Sequence, residues 1–315
     1  MKTFYWLVKR EFWEHRGSFL WAPIITGAIL LTLNLLGIVT AEIFTNRSGI
    51  NINGLNLGNL AGHLDAERLQ EIGQALDMAI YSVAGIVAIV LFFVVFFYCL
   101  GSMYDERRDR SILFWKSLPI SDRTTVLSKV ACAALVAPAI AIVIGVLAGL
   151  AALLMALLAA SMHGANMWGF LFNNAHPFSV AASLLSAIPV FAVWALPMIG
   201  WLMLCSAWAR SKPFLWALAL PIGTGAVLSW MKMTGLVNVD SGWFWRHVVS
   251  RVLLGSDFGS IFSNHAKLDG SRQIGMANLT WIWSTLAEPS AWIGAIAGVL
   301  LLVGAVWLRR WRDDS

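Results

Sequence analysis

The residues able to do chemistry concentrate in one stretch, Tyr104 to Lys129, YDERRDRSILFWKSLPISDRTTVLSK. The run before it, Met78 to Met103, holds no charge in 26 residues. After Lys129 the next Lys or Arg is Arg210. A charged island fenced by such apolar sequence is a water-facing loop between membrane spans. Its chemistry is ion pairing and docking rather than bond making. Glu106 and Arg110 stand at i,i+4 with the acid first, the favourable order on a helix. Ile112, Phe114, Trp115 and Leu118 supply a hydrophobic knuckle, and Pro119 stops the segment. Ser121 is an N-cap candidate for the next helix. Such a knuckle suits a groove in a partner protein, or it rests on lipid as part of an ordinary basic loop. The spacing leaves both open.

Motifs for catalysis are absent from the sequence. There is no G-x-x-x-x-G-K-[ST] loop to cradle a nucleotide, no H-E-x-x-H and no G-x-S-x-G. The six histidines are scattered, and Cys99, Cys132 and Cys205 lie in or near apolar runs as small buried hydrophobes. No ionisable residue lies deep in a span, which argues against a proton- or ion-coupled carrier. Asn34 is the most conspicuous polar group within a span. It could bond a neighbouring helix or contact a substrate.

Of 315 residues, 59% are hydrophobic and 12% charged, against roughly a quarter charged in soluble domains. The chain is therefore an all-α, polytopic membrane protein with a single membrane domain, and 17 Trp and 17 Phe suit aromatic belts. Six spans are expected near 19–40, 78–103, 124–162, 178–208, 213–231 and 289–308. The third is too long for one bilayer crossing, about 58 Å at 1.5 Å per residue. It is read as one helix that starts outside the membrane and kinks near Pro138. The fourth should kink at Pro189 and Pro197. Residues 41–77 are read as an extramembrane loop carrying a short helix, and 163–177 as a polar connection. The largest insert, 232–288, contains an amphipathic stretch, Trp243 to Leu254, lying in or dipping into the interface.

Ahead of the first span, Phe4, Leu7, Val8, Glu11 and His15 do not form one clean stripe. Tyr5, Trp6, Phe12 and Trp13 with Lys9, Arg10 and Arg16, and Phe4 beside them, nevertheless describe a short interfacial helix, the alternative being a simple extension of the first span into the cytoplasm. Of the 22 Lys and Arg, 15 fall in the N-terminus, the island, the 209–212 turn and the C-terminus. Basic loops stay cytoplasmic, so both termini and the island are expected on that side of the membrane.

The island also resembles a segment of ABC transporter permeases of type 2. These carry an E-R-x-x-x-S-I-x-F-W-x-S-L-P-x-S pattern ahead of V-x-S-K. The matching positions are Glu106, Arg107, Ser111, Ile112, Phe114, Trp115, Ser117, Leu118, Pro119, Ser121, Val126, Ser128 and Lys129. The N-terminal segment and residues 286 to 314 are similar to bacterial members as well. The resemblance implies six spans, an interfacial N-terminal helix, a coupling helix after span two and re-entrant helices between spans five and six. It implies that Tyr104, Asp105, Glu106, Arg107, Arg108, Arg110, Ser111, Ile112, Phe114, Trp115, Leu118 and Pro119 meet a separate cytoplasmic ABC ATPase, present in two copies. A second permease copy or a paralogue would complete the unit in the lipid bilayer. This chain itself would bind no cofactor or metal and no nucleic acid, with ATP and Mg held by the ATPase. The function expected is an exporter permease rather than an enzyme. The alternative is a non-transporting scaffold that docks a cytoplasmic partner through the same island.

Overall fold

In lipid every backbone donor and acceptor must be satisfied within the chain, so apolar runs of this length become helices. The computed structural model describes residues 2–47, 66–111, 117, 119–162, 175–235, 240–255 and 282–311, and no strand occurs among them. Six of its helices are long and apolar enough to cross a membrane: Gly17–Phe44, Glu71–Arg108, Asp122–Met162, Ile188–Trp208, Pro213–Met233 and Pro289–Trp311. In chain order these are spans one to six. The chain is a multi-pass, all-α membrane protein.

Span two begins earlier than the composition of 41–77 predicts. Residues that read as part of a loop belong to one unbroken helix, Ala66–Gly101. Nothing between Leu76 and Met78 breaks a helix, and the lone Gly73 costs only about 1 kcal/mol. Asp77 is buried here because its carboxylate accepts from the backbone N–H of His176 at 2.9 Å. The long third helix is continuous as expected. Its irregularity is a π-helical turn, Cys132–Val136, directly before Pro138. Pro138 cannot donate to the carbonyl four residues back, at Ala134, and the widened turn absorbs that lost bond.

Span four departs from a single kinked helix over 178–208. It is two helices, Pro177–Ser186 and Ile188–Trp208, broken at Ala187. Pro189 has no N–H for the carbonyl of Leu185, so the ladder stops there. Pro197 stays inside the second helix. Spans four and five form a tight hairpin. Only residues 209–212 separate Trp208 from Pro213, with Lys212 at φ 49° and Pro213 in the first turn of span five.

The amphipathic stretch after span five folds into helical turns spanning Ser241–Phe244, Trp245–Val249 and Ser250–Leu254. Asp240 caps them by accepting from Gly242 N–H at 3.1 Å. These turns run back along span five. Trp245 donates its indole N–H to Ser229 at 3.0 Å, and its ring lies so close to Gly225 that a Cβ there would be 2.9 Å away. The helix ends at Gly255, φ +78°, against Met198 halfway along span four.

Spans pack through small residues, as helices in lipid do. Gly145 and Gly149 of span three face Ala84 and Ile80 of span two. Gly298 of span six lies against the Leu196–Pro197 backbone, and Gly200 faces the carbonyl of Gly298. The main core joins Phe19, Val87, Leu91, Cys99, Met103, Cys132, Ile199, Leu202 and Met203. All three cysteines are buried and free. Span one stands at the edge, with Ile25, Ile29, Leu33, Leu36 and Phe44 exposed.

Candidate functional site

The island begins with a five-residue helix, Tyr104–Arg108. A helix start leaves its first N–H groups without partners. Here span four supplies one: the Ser206 hydroxyl accepts from Met103 N–H at 3.1 Å and Tyr104 N–H at 3.0 Å. Asp105 and Glu106 sit in the first turn and Arg107 and Arg108 in the last, each on the side that the helix dipole favours. The helix ends through Asp109 and a left-handed Arg110, φ 55°, whose N–H reaches the carbonyl of Arg107 at 3.2 Å. The continuous helix needed for a Glu106–Arg110 pair is therefore missing.

The Glu106 carboxylate is taken up from elsewhere. One oxygen lies 3.0 Å from Lys129 Nζ and the other 2.8 Å from Arg309 Nη1. Arg309 Nε also reaches Asp122 at 3.2 Å. Lys129 turns its other side to Glu11, at 3.0 and 3.1 Å from the two carboxylate oxygens. Glu11 further accepts from Arg10 at 2.6 Å and from the Tyr98 hydroxyl at 3.1 Å. Three bases and three acids thus alternate as Arg10, Glu11, Lys129, Glu106, Arg309, Asp122. Three of its members are dry, Glu11 at 0% exposed, Lys129 at 2% and Arg309 at 4%, while Glu106 between them is only partly buried. The network ties the N-terminal helix, Lys2–Glu14, to the island and to the near ends of spans three and six.

Burial alone would raise the Glu11 carboxyl. The Lys129 ammonium and then the Arg10 guanidinium outweigh it and hold the group below its ordinary range. Glu11 also comes near Glu14 and His15. Its oxygens already accept three donors, so that cluster is an ion-paired hub.

The hub resolves the uneven N-terminal stripe. Leu7 and Glu11 are buried, and Val8 and Phe12 pack partly on the core. Glu11 belongs to this inward face because its charge is paired there. The opposite stripe, Trp6, Lys9, Trp13 and Arg16, is exposed, with Lys9 4.9 Å from the Trp6 ring and Arg16 5.6 Å from that of Trp13. Phe4, on the inward face, and Arg10, at its edge, are half-buried.

The island residues divide by role. Arg107 turns inward, donating to the carbonyl of Ser206 and, at 3.0 Å, to that of Ala209. Tyr104 and Ser111 are half-buried, and the Ser111 hydroxyl donates to the carbonyl of Glu106 at 3.3 Å. Asp105, Arg108, Arg110 and Pro119 are exposed. Ile112, Phe114, Trp115 and Leu118 lie outside the described residues. Ser121 caps the next helix, accepting from Thr124 N–H at 3.3 Å. Asn34 is half-buried, and among the described residues its Oδ1 has no hydrogen-bond partner.

Sequence reasoning misses Glu11, Asp122, Ser206 and Arg309 as parts of this site. From the sequence, Arg309 is only one charge of a basic terminus. The one available signal is a lone acid, Glu11, among the apolar positions of the N-terminal helix.

Comparison of the chain with protein families, with curated proteins and with solved structures finds no match.

Proposed function

We propose that this chain is the membrane-spanning permease subunit of an ATP-driven ABC exporter, moved by a separate ATPase that docks on the island. The sequence resemblance points to the class. The observation that carries it is the anchoring of the island. Its exposed face offers Asp105, Arg108 and Arg110, while its inner face is bonded to spans three, four and six and, through Lys129, to the N-terminal helix. A loop held in this way passes a push from outside the membrane to several helices at once.

In this reading the island and both termini are cytoplasmic, and the N-terminal helix lies in the interface with Trp6, Lys9, Trp13 and Arg16 toward the headgroups. Two permease copies, or this chain and a paralogue, join two ATPases, which hold the ATP and Mg. The Ser241–Leu254 turns are the re-entrant element between spans five and six.

The test is co-expression with a candidate ATPase and assay in proteoliposomes. Arg108→Glu with Arg110→Glu should abolish ATPase association while the permease stays folded. Arg107 is left intact because it braces span four. Unchanged ATP-dependent transport in that variant, or no ATPase associating with the wild-type chain, overturns the reading. Association without transport selects the scaffold.

A further inference from the structure

Glu106 and Asp122 bracket the 15 residues of the island between them, and one guanidinium holds both. Arg309 Nη1 lies 2.8 Å from Glu106 and its Nε 3.2 Å from Asp122. We infer that Arg309, in the last turn of span six, is a positioning residue that clasps the two ends of the island and makes span six a recipient of its motion. The inference deepens the permease reading and rests on it for its transport arm only.

Three features argue for a clasp rather than a generic basic terminus. Arg309 is 4% exposed, while Arg310 beside it faces outward. A residue that merely complements the helix dipole or the membrane surface has no need of burial. Its partners stand 203 and 187 residues away and belong to opposite sides of one loop. Finally, a planar guanidinium can donate from two edges in fixed geometry, which an ammonium cannot. Span six then carries the constraint onward, because Gly298 and Gly200 bring it into backbone contact with span four around Pro197.

The clasp is tested on the permease alone, in membranes, by the distance between spin labels at the exposed positions Arg108→Cys and Arg123→Cys. The native cysteines are buried and are first replaced by alanine. The clasped neck gives one narrow distance distribution. Arg309→Gln should broaden it, and Arg309→Lys, which places one nitrogen where the guanidinium places two, should fall between. Asp122→Asn should broaden it as well, and the double variant should be no broader than Arg309→Gln, since both remove one interaction. A distribution that stays narrow in Arg309→Gln, or effects that add, overturns the clasp. Should Arg309→Gln not insert, Asp122→Asn, at a partly exposed site, decides by the same criterion.

The transport arm uses the assembled complex. Arg309→Gln should keep ATP hydrolysis but lower transport per ATP about tenfold, the scale of one lost charge-assisted hydrogen bond. Broadened distances with undiminished transport per ATP leave the clasp standing and overturn its role in passing motion to span six. Failure of any ATPase to associate overturns the permease reading and leaves the distance result unaffected.

Discussion

Lys129 of span three and Glu11 of the N-terminal helix pair at 3.0 Å, 118 residues apart and both almost wholly enclosed. Removing one partner of such a pair leaves a charge in a dry place, which costs about 3–5 kcal/mol. Lys129→Met should therefore lower the thermal midpoint in detergent sharply. Adding Glu11→Gln to it should recover much of the loss, because the enclosed carboxylate that Lys129 neutralised is gone and Arg10 still reaches Glu14 at 3.8 Å. A double variant as unstable as Lys129→Met would contradict this account.

The same pair sets an acid limit. The native Glu11 carboxyl lies below its ordinary range, so its unfolded form binds a proton more readily than its folded form. The pairing thus stabilises fully above the ordinary glutamate range. That contribution fades as pH falls through the lowered native value. In Lys129→Met the main lowering influence is gone and burial acts against the charge. Protonation of Glu11 then relieves the buried charge, so the gap in thermal midpoint between wild type and Lys129→Met should narrow as pH falls, and melting curves across the acid range would detect it.

Gly298 is a test of how closely spans four and six approach. A Cβ there would sit 2.5 Å from the carbonyl carbon of Leu196 and 2.7 Å from Pro197 N. Backbone cannot yield as a flexible side chain can, so Gly298→Val should cost at least about 1–3 kcal/mol. Gly223→Ala in span five meets nothing within 4 Å. It should be neutral, or stabilising by no more than about 1 kcal/mol. Equal melting of the two variants would refute the contact.

Three neighbouring arginines should behave differently. Arg107→Ala removes the donors to Ser206 and Ala209 and should destabilise by about 1–3 kcal/mol, the cost of stranded carbonyls. Arg108→Ala and Arg110→Ala should leave melting nearly unchanged, since both side chains are exposed. Thermal unfolding of the three single variants checks the order.

What can be read from the sequence is local. Six apolar runs, the Ser121 cap and the disturbance at Pro138 follow from composition and from one proline's missing N–H. The unbroken Ala66–Gly101 helix is hidden because polar residues on its first turns look like a loop when their partners, such as His176 N–H for Asp77, lie far along the chain. The hub is hidden for a related reason. Glu11, Lys129, Glu106 and Arg309 come from four distant segments, and no spacing rule links them. Burial of each charge becomes reasonable only once the opposite charges are in place.

The hairpin between spans four and five bears on how the molecule is made. With only residues 209–212 between Trp208 and Pro213, spans four and five reach the bilayer tied together as one helical hairpin. The two must partition into lipid as one unit, and the less apolar span five is carried by its predecessor. A polar spacer placed after Ala209 would uncouple their insertion, and the first sign would be span five stranded outside the bilayer during synthesis.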